Sequence, residues 1–467
     1  MIETIKAWFA GRWSSKGGYK EILAVGMPLI ISMGAFTIMH FTDRVFLSRY
    51  SLETMAASSP AGILNLLFTS VFMGTAEYSG VFVSQFIGAN KPHRVGASLW
   101  QGIWFCLPVG LLLIVIGEFL SAPMFALGGH EPHIQALETS YFTITMYGSG
   151  LFLMSLVFSS YFSGQGLTRV VMIVNVLGAA INIPLDYMFI FGWGPIPEMG
   201  INGAGYATCF GSGFITTAYA LLIFTKKNEH AFKVLSAWRF DKELFWRYMR
   251  YGLPGGVQMF IEILGFTFFI FMMGRYGTLE LAASNIVFCV DTLVFLPILG
   301  LSITASILVG QAVGANDKEL AKWVTVNSMH VSMIVMTIMV TLFLVYAYPL
   351  VELFHPDGMS DAEFAKVHEI AVVLLRFVAI YCWVDSFALV YQGALKGAGD
   401  TRFVMIFCLI CSLSVLVAPV YILVEHYRVP MEYSWYFIIG YVVIQSVVYY
   451  TRFKTGIWME KRIVREG

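Results

Sequence analysis

Gly26-Met27-Pro28, Met55-Ala56-Ala57-Ser58 and Ser84-Gln85-Phe86-Ile87-Gly88-Ala89-Asn90 mark a stretch that the chain contains twice. The second copy reads Gly252-Leu253-Pro254, Leu281-Ala282-Ala283-Ser284 and Gly310-Gln311-Ala312-Val313-Gly314-Ala315-Asn316. All three landmarks are offset by the same 226 residues. A third echo, Gly164-Gln165-Gly166-Leu167-Thr168-Arg169 against Gly397-Ala398-Gly399-Asp400-Thr401-Arg402, is offset by 233. A duplication of this size governs the reading of everything else.

Around the repeat the chain is apolar. Of its 467 residues 58% are hydrophobic and 12% charged, with a mean hydropathy of +0.74. Soluble domains carry about 25% charged residues, so the composition belongs to an integral membrane protein. Twelve apolar segments of helical length follow, six in each copy. They run roughly over 21–47, 58–86, 96–120, 136–162, 169–191 and 202–224, then 248–273, 284–312, 321–347, 368–395, 402–424 and 434–453. None alternates as the strands of a membrane β-barrel do. The six cysteines all lie inside apolar segments without a CxxC pair, as small packing residues rather than disulfide or zinc partners.

The longest polar connector, 225–247, holds Lys226, Lys227, Lys233, Arg239, Lys242 and Arg247 and divides the halves. The expected organisation is a cytoplasmic or interfacial segment 1–20, a first lobe 21–224, a cytoplasmic linker 225–247, a second lobe 248–455 and a basic cytoplasmic tail 456–467. The first segment mixes Lys6, Arg12, Lys16 and Lys20 with Trp8, Phe9 and Trp13, a composition for the membrane interface. With both termini on one side, that side receives most of the 29 Lys and Arg, including Arg94, Arg169, Arg402 and the tail residues Arg452, Lys454, Lys461, Arg462 and Arg465. Glu352, Asp357, Asp361 and Glu363 fall on the other side. Basic residues stay cytoplasmic, so both termini are predicted to be cytoplasmic in a multi-pass protein of the inner (plasma) membrane. Six helices per copy return the chain to its starting side. The expected fold is therefore an all-α polytopic membrane protein of two six-helix bundles related by a pseudo-twofold axis along the membrane normal.

An ionisable group in hydrocarbon costs about 2.5–3.5 kcal/mol on insertion scales, so each one calls for a function. Asp43, Asp186, Glu262 and Asp385 are the leading acids, with Glu77 and Asp291 behind them. His40, His330 and Arg376 are the basic groups within the helices. Asp43 shares a helical face with His40 and Phe36. Asn182 and Asp186, one turn apart, flank Pro184. These are hard oxygen ligands of the kind sodium accepts, and a proton can ride on the same carboxylates. The alternative is interhelical hydrogen bonding alone. Gln258, Glu262, Phe266 and Phe269 share a face, an acid bordered by rings, and Asp385 has Tyr381 one turn before it and Gln392 two turns after. An acid beside aromatic faces suits a lipophilic organic cation. A structural salt bridge from either acid to Arg376 is the competing reading.

No Walker A, HExxH, TVGYG or GxSxG signature is present, and His130 and His133 form an HxxH without a third ligand. The chain offers no constellation for an enzyme, and no cofactor beyond a coupling ion is expected.

The two sets of six helices, the Gly-x-Pro openings, Phe41-Thr42-Asp43-Arg44-Val45-Phe46, the repeated Gln-x-x-Gly-Ala-Asn ends and the Gly-x-Gly-x-Thr-Arg loops together resemble the multidrug and toxic compound extrusion (MATE) transporters, over residues 20–455. The resemblance implies antiport of drug-like, often cationic and aromatic compounds out of the cytoplasm against H+ or Na+. It implies a first-lobe cation site at Asp43, Asn182, Asp186 and Thr208, and a second acid pair, used in some bacterial members, at Glu262 and Asp385. This chain carries both sets, which leaves open which takes the ion and which the substrate. His40, Glu77, Gln258, Asp291 and Tyr381 are accessory candidates. The expected partners are small organic solutes and the lipid bilayer, with neither nucleic acid nor an obligate protein. A lipid-linked saccharide flippase or a narrow metabolite exporter of the same architecture are the alternatives.

Overall fold

The computed structural model describes residues 11–354, 361–427, 429–461 and 463–464. Lys6, Trp8 and Phe9, Asp357 of the long loop, and Arg462 and Arg465 of the tail lie outside the described residues, as do the side chains of Asp361 and Glu363.

Apolar runs of this length must satisfy every backbone group internally, and helices do so. In the first half they are α1 Tyr19–Tyr50, α2 Leu52–Gly88, α3 Val95–Ala126, α4 Pro132–Gly164, α5 Thr168–Phe191 and α6 Ile201–Ile223. In the second they are α7 Lys242–Met273, α8 Thr278–Gly314, α9 Lys318–Val345, α10 Asp361–Ala398, α11 Thr401–Tyr427 and α12 Met431–Lys454. Helices α1 to α11 are long and apolar enough to cross a membrane. Helix α12, at 24 residues, reaches spanning length with Glu432 in its first turn and Arg452 and Lys454 in its last.

The repeat landmarks are helix ends and close contacts. Asn90 and Asn316 both adopt positive φ, 55° and 59°. At the first, Asn90 N–H donates to Ile87 O (3.1 Å) and Lys91 N–H to Phe86 O (2.9 Å). At the second, Asn316 N–H donates to Val313 O (3.0 Å) and Asp317 N–H to Ala312 O (2.9 Å). This is a Schellman stop, and Asn is the side-chain-bearing residue that best tolerates its left-handed position. The later echo fixes packing. A Cβ on Gly164 would lie 2.6 Å from Gly80 O, and one on Gly397 would collide with Ser306 O. Small residues at these points let α4 approach α2, and α10 approach α8.

The described residues cluster into two compact units. One comprises 31–257 with 463–464, the other those of 1–30 with 258–461. The chain changes unit within α1 at Ile30–Ile31 and within α7 at Val257–Gln258, a few residues after Pro28 and Pro254. The unit holding α10 has a core around Phe269, Phe288 and Trp435, with the Phe288 and Trp435 rings stacked at 5.4 Å. In the other unit a smaller cluster joins Leu47, Ala57, Ile190, Ile201 and Ala204. The copies also diverge. Helix α5 stays α-helical through Pro184, whereas α11 takes π-helical turns at Ser412–Val417 and Leu423–Tyr427 on either side of the stretch holding Pro419.

Candidate functional site

The buried face of α5 carries Asn175, Asn182 and Asp186, spaced seven and four residues apart so that they line one stripe. The lower end of the stripe is fully bonded. Asn175 Nδ2 donates to Ser32 Oγ (2.7 Å), and Tyr219 Oη donates to Asn175 Oδ1 (2.9 Å). The upper end is not. Asp43 from α1 brings its carboxyl within hydrogen-bonding reach of Asp186, and both act on the Tyr141 ring hydroxyl of α4. Asp43, Asn182 and Asp186 are 6%, 1% and 0% exposed. Asp43 Oδ1, both carboxylate oxygens of Asp186 and both side-chain heteroatoms of Asn182 are buried without a hydrogen-bond partner. Two carboxylates cannot donate to each other, so their contact becomes a bond only when a proton or a cation stands between them.

Of the other residues expected here, His40 lies 3.6 Å from Asp43, with its side chain 63% exposed. Thr208 does not join the cluster by a hydrogen bond; its hydroxyl donates to Ala204 O of its own helix at 3.0 Å. Helix α6 meets Asn182 one turn later, at Gly211, where a Cβ would lie 3.1 Å from Asn182 Nδ2. The donor set left unpaired, carboxylate and carboxamide oxygens, fits a hard monovalent cation or a proton.

The second acid pair sits differently. Gln392 Nε2 donates to Glu262 Oε1 at 2.9 Å, and Lys396 Nζ donates to Gln258 Oε1 at 3.1 Å. Cys408 Sγ of α11 lies 3.9 Å from Glu262 Oε1 and 4.0 Å from Tyr441 Oη of α12. Asp385 is half-buried and feels the charges of Glu262 and Asp291. Asp291 accepts from Cys382 Sγ at 3.0 Å, with the Tyr381 hydroxyl beside it but outside hydrogen-bond geometry. Gln258, Asp291 and Tyr381 thus gather with the acid pair. Phe266 and Phe269, expected to border Glu262, instead pack on Phe288, at 4.8 and 6.3 Å between ring centroids.

Four readings are corrected or narrowed. Arg376 forms no ion pair with Glu262 or Asp385; it is exposed and lines a cavity of about 480 Å³ with Glu352, His368 and Glu369. The base of the acid site is Lys396, which sequence reading missed because it lies near a helix end, just before the repeated Gly-x-Gly-x-Thr-Arg loop, although it stands one turn after Gln392. His330 belongs to an N-terminal contact, 3.0 Å from Tyr19 Oη and 3.3 Å from Arg12. The two histidines of the HxxH pair with different acids, His130 with Glu138 at 2.8 Å and His133 with Glu53 at 2.9 Å. Glu77 is exposed at the break between the helical stretches Leu52–Glu77 and Ser79–Gly88.

Comparison with known proteins places the chain. The family model for MatE matches residues 28–188 and 254–422, its two matches starting at Pro28 and Pro254. A probable multidrug resistance protein NorM of Pasteurella multocida is 27% identical over 401 residues, covering 84% of this chain and 83% of its own. One of Thermotoga maritima is 25% identical over 451 residues, covering 95% and 94%. Among solved structures, an outward-facing multidrug resistance MATE family transporter of the MOP superfamily superposes with a TM-score of 0.87 at 19% identity, covering 97% of this chain and 99% of that one. A MOP superfamily transporter from Pyrococcus furiosus, described as having a binding pocket of reversed polarity, gives 0.87 at 18% with the same coverage. The chain belongs to the MatE family of polytopic membrane transporters.

Proposed function

We propose that this chain exports organic, often cationic and aromatic compounds from the cytoplasm in exchange for H+ or Na+. Asp43, Asp186 and Asn182 would hold the coupling cation. The observation that carries this reading is the set of five unpartnered polar atoms on those three side chains. Buried polar groups are otherwise bonded, and these are bonded once a cation or proton arrives. Relatives named for multidrug resistance support the substrate class. Both termini lie in the cytoplasm, and the protein works in the plasma membrane.

The exchange is a competition. Substrate enters from the cytoplasm while Asp43 and Asp186 are uncompensated. A cation arriving from outside compensates one of the two carboxylate charges, and the conformation that binds substrate weakly is then favoured. The charge of the ion is worth most here because the site excludes water. Acids in both halves favour positively charged cargo over an anionic lipid-linked saccharide. The test is efflux of ethidium from cells carrying Asp43→Asn or Glu262→Gln at normal expression. Each is expected to lose most of its efflux, and wild-type export by both would overturn the reading.

A further inference from the structure

We propose that Lys396 is a resident cation of the Glu262 site, standing where the positive group of an exported compound binds and displaced by it. This deepens the transport reading above and rests on it.

The geometry is a two-rung ladder between α7 and α10. Gln258 and Glu262 are one turn apart on α7, and Gln392 and Lys396 one turn apart on α10. Gln392 takes Glu262, and Lys396 takes Gln258, so the ammonium is delivered one rung from the acid. Its positive charge acts on the Glu262 carboxylate, and Glu262 in turn acts on Asp385.

Lys396 is two residues from the end of α10, where a lysine ordinarily snorkels outward to water or to a nearby acid. Asp400, four residues on, is such an acid. It is fully buried and already taken by Arg452 Nε (2.7 Å) and by Lys461. Lys396 turns the other way, into the bundle, where a charge costs energy unless it has work to do.

The two acid sets then differ in kind. Burial and Asp43 are the influences on Asp186, and the base beside that pair, His40, lies 3.6 Å from Asp43 with its side chain 63% exposed, so no amine is built into that site as Lys396 is into the other. The Glu262 site carries its own. A permanent organic cation can replace the ammonium charge for charge. When the cation leaves, Lys396 returns, and Glu262 is never left uncompensated. The Asp43–Asp186 set therefore takes the coupling ion, and the Glu262–Asp385 set takes the cationic substrate.

The experiment uses the purified full-length protein with tetraphenylphosphonium, a cation with no titratable group, and equilibrium dialysis. Lys396→Gln is expected to tighten binding about tenfold, because the competing charge is gone. Lys396→Arg keeps the charge and should bind as wild type does. Glu262→Gln should bind weakly, and adding Lys396→Gln to it should change nothing. In proteoliposomes Lys396→Gln should lower KM and kcat together, since release becomes slow. Unchanged or weaker binding by Lys396→Gln, tightening that persists without Glu262, or no binding by any variant overturns the assignment. The two readings fail separately. Gradient-driven efflux with equal affinities for wild type and Lys396→Gln removes the role of Lys396 alone. The expected affinity pattern without gradient-driven efflux removes the antiport reading alone.

Discussion

Replacing Asp186 by Asn removes one of two charges that the first-half site offers to a cation, and leaves its shape unchanged. At about 4 Å, with an effective dielectric constant of about 20, a carboxylate attracts a monovalent cation by about 4 kcal/mol. The amide oxygen of the new Asn and the lower desolvation cost recover part of this. A net loss of about 2.7 kcal/mol is a hundredfold weaker affinity. The assay is dye efflux from proteoliposomes as a function of the external cation. Asp186→Asn should need about a hundredfold more cation for half-maximal exchange. Its thermal stability should hold or rise, because a buried charge that lacks a partner in the folded protein has been removed. A variant with the wild-type half-maximal concentration would refute the assignment. So would one that fails only because it unfolds.

Two further outcomes concern the scaffold. Asp400, fully buried between Arg452 and Lys461, ties the start of α11 to α12 and the chain beyond it; Asp400→Asn should destabilise by about 3 kcal/mol, the lower part of the range for broken buried pairs since both bases are partly exposed, seen as a lower melting temperature in detergent. In the polar connector, Glu229 accepts from the Leu235 N–H (2.6 Å) and the Ser236 N–H (3.2 Å). The Ser236 side chain first, then the Leu235 N–H, hold its carboxyl below the ordinary value of 4.5. A depressed folded value stabilises above the unfolded one and is lost as pH falls through it. Hydrogen exchange of residues 233–240, relative to intrinsic rates, should therefore speed up below that range in the wild type and be independent of pH there in Glu229→Gln.

What the sequence displayed plainly was whatever repeats or breaks a rule. Gly-x-Pro, Gln-x-x-Gly-Ala-Asn and Gly-x-Gly-x-Thr-Arg recur because helix stops and close approaches need the same small residues in both copies. Asp43, Asp186, Glu262 and Asp385 stood out because charge is expensive in hydrocarbon. Their partners were less visible. Tyr141 acts on the Asp43–Asp186 pair from α4, and Ser32 meets Asn175 from α1, contacts that depend on how helices rotate against one another. Lys396 was hidden for another reason. Near a helix end a lysine is normally solvated, and it is the bond to Gln258, with Asp400 already occupied by Arg452 and Lys461, that shows it turning inward. Phe266 and Phe269 were on the expected face of α7, yet their rings pack on Phe288, because apolar side chains seek the core before they seek a ligand.

Reconstituted protein loaded with dye, given an inward pH gradient in one experiment and an inward sodium gradient in another, tests cation exchange at Asp43 and Asp186 most directly. One of the two gradients should drive efflux in the wild type and fail to do so in both Asp43→Asn and Asp186→Asn. Efflux that ignores both gradients, or that both variants sustain at the wild-type rate, would contradict it.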